Sequence, residues 1–174
     1  RLYDAAMDAR LRHRRELEGA LAGAIARGEL DLVFQPIVDQ RDLIVEGFEA
    51  LIRWQSPDFG MVPPALFIPI AEESNLIHML GDWVIDRAVA ALRDWPTQYL
   101  SVNFSPRQFR RPNFVAHVIA RVAQAGVAPQ RFQIEITETA IFDDGDRAAE
   151  TLYRLRQMGF RVALDDFGTG YSDR

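Results

Sequence analysis

RFQIEIT (Arg131–Thr137), DGDRAAETLYRLRQMG (Asp144–Gly159) and FRVALDD (Phe160–Asp166) follow one another, and their reading decides the fold. The first and last alternate apolar and polar residues, the period-two mark of a strand. The middle segment reads as a helix stopped at Gly159. Strand, helix, strand is the unit that builds a parallel sheet.

The same alternation extends upstream. LDLVFQPIV (Leu30–Val38) reads as a first strand, LIVEGFEALIRW (Leu43–Trp54) as a second and YLSVNF (Tyr99–Phe104) as a third. RFQIEIT and FRVALDD are then the fourth and fifth. Ser56, Pro57, Asp58, Gly60, Pro63 and Pro64 mark a loop after the second strand. Pro64 opens a helix carrying Phe67, Ile70 and Ala71, and Asn75 suits the left-handed geometry that ends it. A longer helix is predicted from about Ile77 to Trp95, with Ile77, Leu80, Val84, Ala88 and Leu92 on one face. Ser105-Pro106 is a helix cap followed by proline in the first turn. A further helix runs from about Asn113 to Gln124 and closes at Gly126.

Residues 1–28 read differently. Leu11, Leu17, Leu21 and Ile25 recur at near-helical spacing, and arginines interleave with Asp8, Glu16 and Glu18. The segment has too little apolar surface for a core of its own. It is expected to be a connecting helix from an upstream domain, ending at Gly28, with the strand-and-helix domain occupying residues 29–174.

Composition removes several classes of function. The chain has 174 residues, 48% of them apolar, which suits a folded domain rather than a disordered one. It has no cysteine, so disulfides, thiolate zinc sites and a cysteine nucleophile are excluded. All 20 basic residues are arginine, so no lysine within these residues acts as a base. A net charge of −5 argues against binding a nucleic-acid polymer, which calls for a basic stripe.

No glycine-rich phosphate loop follows the first strand, which disfavours an open doubly wound sheet. Polar residues gather instead at the C-terminal ends of four strands, as in a (β/α)₈ barrel. Side chains alternate faces along a strand. Glu49, Leu51 and Arg53 therefore share one face, as do Ser101 and Asn103, then Gln133, Glu135 and Thr137, then Arg161, Ala163 and Asp165. The apolar alternates belong outward, under helices. Glu49, Asn103, Glu135 and Asp165 are thus predicted to point inward near one end.

Converging acids are costly without a cation. Oxygen ligands without cysteine or histidine suit Mg²⁺ or Mn²⁺. Adjacent Asp165 and Asp166 suit two metals, a pair fit for in-line displacement at a phosphodiester. Arg53 is placed to hold a phosphate oxygen. Taken singly, each acid is more simply a cap or an ion-pair partner, Glu135 and Glu138 included, and Arg53 a partner of Glu49. The recurrence on four successive strands is what favours a site. His13, His78 and His117 read as surface or packing residues.

These residues resemble a known family. EGFEALIRW (Glu46–Trp54) is similar to the signature of EAL domains, the bacterial cyclic-di-GMP phosphodiesterases. FQPIV (Phe34–Val38), FIPIAEESNLI (Phe67–Ile77), VNFSPRQF (Val102–Phe109), IEITET (Ile134–Thr139) and DDFGTGYS (Asp165–Ser172) agree in order and spacing. The resemblance implies a modified (β/α)₈ TIM-like barrel with an antiparallel first strand, of which about five strands fall in this chain. It implies hydrolysis of cyclic-di-GMP to linear pGpG with two Mg²⁺ or Mn²⁺ ions. Glu49, Asn103, Glu135, Asp165 and Asp166 would bind metal, with Glu49, Asp165 and Asp166 catalytic. Gln35, Leu51 and Arg53 would contact substrate, and Glu138 would steady the Asp166–Ser172 loop. The family's general-base lysine has no counterpart here. A cytoplasmic homodimer with upstream GGDEF and sensor domains is the implied context, and the rest of the barrel is expected beyond Arg174. The alternative is an inactive cyclic-di-GMP receptor or a regulatory, dimerising EAL domain. From the barrel alone, a divalent-metal lyase or aldolase would also fit, but it would not require the DDFGTGYS loop.

Overall fold

The structure, a computed structural model, describes residues 4–165. Helix α1 (Ala5–Ala22) precedes strands β1 (Leu30–Val38), β2 (Val45–Ser56) and β3 (Gly60–Val62). Helices α2 (Pro64–Glu73) and α3 (Leu76–Asp94) lead to β4 (Tyr99–Phe104). Then come α4 (Pro106–Phe109), α5 (Phe114–Gln124), β5 (Phe132–Thr137), α6 (Thr139–Phe142), α7 (Gly145–Gln157) and β6 (Arg161–Asp165). The sheet order is β1-β2-β4-β5-β6, with β3 paired to β2. β1 lies antiparallel to β2, while β2, β4, β5 and β6 run parallel. This is a partial barrel, as the strand-and-helix pattern predicts, and its reversed first strand is the one the family resemblance implies.

One strand more is present than the five predicted. Gly60–Val62 folds back on Trp54–Ser56 within the stretch read as a loop. Three residues are too few to show a period. The Ser56 hydroxyl makes the turn by accepting the N–H groups of Asp58 and Phe59, and Gly60 takes a positive φ of 69°. In the predicted long helix, Ile85 is fully buried while Val84 is only half-buried.

The main core lies on the outer side of the sheet. Leu100, Val102 and Phe104 of β4 and Phe132, Ile134 and Ile136 of β5 are buried with Leu92, Val118 and Leu155 of the covering helices. Each such side chain contributes about 1.5–3 kcal/mol on burial. Turns fix where each helix starts. Asn75 has φ 63° at the junction of α2 and α3, the left-handed geometry its sequence suggests. Ser105 and Gln108 form a reciprocal capping box on α4. Gly47 is needed where β2 crosses Tyr99, because a Cβ there would lie 2.7 Å from the Tyr99 carbonyl oxygen.

Helix α1 ends at Ala22, short of the Gly28 stop its sequence suggests, and a turn reaches β1 through Gly28 at φ 72°. Its first half is exposed, with Met7 and Leu11 in solvent. Its second half is core: Leu17 and Leu21 are buried with Leu30, Trp54, Phe67 and Leu80. Trp54 Nε1 donates to Glu29 Oε1 at 3.1 Å, and the Gln55 N–H donates to the Glu29 carbonyl at 3.0 Å. The turn after α1 is therefore tied to the end of β2. Replacing Leu21 by alanine is expected to cost about 2–5 kcal/mol in chemical denaturation, and Leu11 by alanine less than about 0.5 kcal/mol. Equal, small costs would mean that α1 does not share the domain's core.

Candidate active site

Packing the apolar alternates of β4 and β5 under helices leaves their polar neighbours on the opposite face. Register then sets who meets whom. Gln35 lies opposite Glu49, Glu49 opposite Ser101, and Ser101 opposite Gln133. One step toward the strand ends, Asn103 lies opposite Glu135, and Glu135 opposite Ala163. Asp165 pairs in register with Thr137.

β4 supplies the hydrogen bonds. Asn103 Nδ2 donates to Glu49 Oε1 at 3.1 Å, and Ser101 Oγ donates to Glu135 Oε2 at 3.0 Å. Gln133 Nε2 in turn donates to Ser101 Oγ at 3.0 Å. Burial raises the Glu135 carboxyl to about 7, the Glu49 charge pushes the same way, the Ser101 hydrogen bond opposes, and Asp165 adds a further push. Glu135 therefore feels both of the other acids. Among the described residues, no three acidic or histidine side chains close into a cage able to hold a metal. Like charges do better turned to neutral donors than to each other. As donors, the carboxylates and the Asn103 amide are oxygen ligands, the chemistry that hard divalent ions select.

The predicted substrate-facing residues lie beside them. Leu51 and Arg53 line a cavity of about 60 Å³ with Ile68, Leu80, Asn103 and Gln108. The Arg53 guanidinium donates to the Ile52 carbonyl at 3.0 Å and, among the described residues, makes no ion pair with Glu49. Gln35 is exposed on β1. The Glu138 N–H donates to the Asp165 carbonyl at 3.4 Å, so β6 meets the start of α6. Asp166 and the loop to Ser172 lie outside the described residues.

The sequence pattern placed Ser101 and Gln133 on the inward face but gave them no task. Their bonds join residues 32 and 34 positions apart, and no local spacing announces that. His117 does more than fill space: Nε2 lies 2.5 Å from Asp82 Oδ1, and Arg121 joins Asp86. Among the described residues, His78 Nδ1 is buried without a hydrogen-bond partner. Burial, and then the Arg111 charge, lowers the His78 pKa.

The sequence profile of the EAL domain matches residues 18–174. The chain belongs to the EAL domain family. It is 44% identical over 173 residues to an uncharacterized signaling protein of Caulobacter vibrioides, covering 99% of this chain and 21% of that protein. It is 33% identical to the bifunctional diguanylate cyclase/cyclic di-GMP phosphodiesterase MucR of Pseudomonas aeruginosa, over 98% of this chain and 26% of MucR. The MucR phosphodiesterase structure, a c-di-GMP complex, superposes with a TM-score of 0.84 at 34% identity, covering 91% of this chain and 66% of that one. The EAL enzyme Bd1971 with cAMP and cyclic-di-GMP bound gives 0.82 at 33% identity, over 97% and 47%. The chain spans between a fifth and a quarter of the length of the first curated relatives it matches. The family profile begins within α1, at Glu18, where the helix starts to enter the core.

The raised Glu135 pKa has a signed consequence. An unfolded glutamate loses its proton near 4.5, but this one keeps it to about 7. Across that window the folded state binds more protons, so stability falls as pH rises. With solvent screening, the loss is on the order of 1–2 kcal/mol. Thermal melts with chelator present are expected to show a decline from about pH 5 to 8 that is shallower in Glu135→Gln. Identical slopes would contradict this account of Glu135.

Proposed function

We propose that the complete protein hydrolyses cyclic-di-GMP to the linear dinucleotide pGpG. The carrying observation is the row of inward polar residues on β2, β4, β5 and β6 in a chain whose family and solved relatives include c-di-GMP-bound phosphodiesterases. In this reading Glu49, Asn103, Glu135 and Asp165 hold Mg²⁺ or Mn²⁺, and Asp166 joins them at a second ion. Their oxygen chemistry fits, and a cation would relieve the crowding around Glu135. Bound metal would supply an activated water and charge stabilisation at phosphorus.

The chain's own residues orient the reaction. Arg53 offers a guanidinium at the end of β2 to hold a phosphate oxygen. Leu51, beside it in the cavity, gives a nucleobase an apolar wall. Gln35, across from Glu49, offers an amide to the ligand from β1. Glu138 anchors the end of β6 from which the Asp166–Ser172 loop departs. We place the domain downstream of a GGDEF domain and a sensor, as a cytoplasmic homodimer. MucR, a bifunctional cyclase and phosphodiesterase, supports the first part. No described helix is long and apolar enough to cross a membrane.

A second reading is a cyclic-di-GMP receptor without turnover, which would use Gln35, Leu51 and Arg53 to hold the dinucleotide and need no activated water. Incubating the full-length protein with cyclic-di-GMP and Mn²⁺, and separating products by chromatography, decides between them. The expected result is pGpG, lost by at least about 100-fold in Glu49→Ala, because losing a metal ligand costs more than the roughly 10- to 100-fold of losing a partner that supports one. Arg53→Ala is expected to raise KM roughly 10- to 100-fold, the value of one charge-assisted hydrogen bond. Tight calorimetric binding with no product would favour the receptor, and no binding would end both readings.

A further inference from the structure

We propose that Ser101 is a positioning residue for Glu135, with its hydroxyl aimed at the carboxylate by Gln133. The inference rests on the reading of Glu135 as a metal-binding residue. Three observations carry it. Ser101 is fully buried, at 0% exposure, on the inward face of the central strand β4. A buried hydroxyl is costly unless its bonding capacity is used, and an alanine would fill the position without that cost. Both capacities are used here, as acceptor from Gln133 Nε2 and as donor to Glu135 Oε2, each at 3.0 Å.

The chain has a direction. An amide N–H can only donate, so Gln133 occupies a lone pair of the hydroxyl and leaves its single proton for another acceptor. Two carboxylates are near enough to compete. Glu49 lies directly opposite Ser101 across β2, and Glu135 lies one step up on β5. The Glu49 carboxylate already takes an N–H from Asn103. The Ser101 proton goes to Glu135, so each acid has one donor from β4. Among the described residues only Oε2 of Glu135 carries a hydrogen bond, which leaves Oε1 for a ligand. Fixing one oxygen narrows the rotamers of a side chain with three rotatable bonds, so less freedom is lost when a cation arrives. Partners of this kind beside metal ligands commonly matter by 10–100-fold in affinity.

The test titrates Mn²⁺ alone into the full-length protein by calorimetry. Ser101→Ala is expected to weaken Mn²⁺ binding roughly 10- to 100-fold, and Ser101→Thr, which keeps the hydroxyl, to stay within a few-fold of the parent. Gln133→Leu is expected to lose a few-fold, since the hydroxyl remains but is no longer aimed. Thermal melts check that all three variants fold. Where the parent turns over cyclic-di-GMP, Ser101→Ala is also expected to raise the Mn²⁺ concentration needed for half-maximal rate more than it raises KM for the dinucleotide. Parent-like Mn²⁺ affinity in folded Ser101→Ala overturns the proposal while leaving the phosphodiesterase reading intact. Equal losses in Ser101→Ala and Ser101→Thr overturn it too, by pointing to packing. A parent protein that binds no Mn²⁺ overturns both.

Discussion

Two carboxylates, Glu49 on β2 and Glu135 on β5, flank a strand without any charge, and the site depends on how β4 manages them. Asn103 serves one and Ser101 the other, so neither acid is left buried beside the other without a donor. The management is incomplete by design of the surroundings: burial and the Glu49 charge still hold the Glu135 carboxyl up near 7. Carboxyls shifted by burial and a neighbouring charge in this way gather at functional sites.

The rest of the fold is what makes that geometry possible. Phe132, Ile134 and Ile136 cannot be buried under α5 and α7 unless Gln133, Glu135 and Thr137 face the other way. A slip of one residue in β5 would bury the glutamate in the apolar core and expose three large side chains. The register is thus specified by the apolar side of the sheet, and the polar side inherits its accuracy. Parallel pairing then sets Asn103 against Glu135 and Ser101 against Gln133, which brings the donors into reach.

This explains what was legible in the sequence. Period and turn chemistry alone mark the five long strands, the main helices, the Asn75 junction and the inward row of acids. They do so because each signal is carried by residues close in the chain. β3 escapes because three residues have no period, and α6 because a four-residue helix barely has one, whereas the Ser105-Pro106 cap does mark the start of the equally short α4. The Ser101–Gln133–Glu135 chain escapes for a different reason: it joins strands separated by a whole helical crossover. Family resemblance names Glu135, but only the folded sheet shows what supports it.

Helix α1 shows the limit of reading a segment by its own surface. Its arginine-rich stretch has the look of a solvated spacer, and its first half is indeed exposed. Yet Leu17 and Leu21 need burial, and they find it with Trp54 and Phe67 rather than with another helix of a linker. Trp54 is the immediate neighbour of Arg53, its ring packs edge-on against Phe67, and its indole N–H is held by Glu29 at the foot of β1. Glu29 is itself paired with Arg27, just after the helix. A push on α1 therefore bears on the same side chains that hold the end of β2. Because close-packed side chains yield little, the helix and the strand that carries Arg53 share one core.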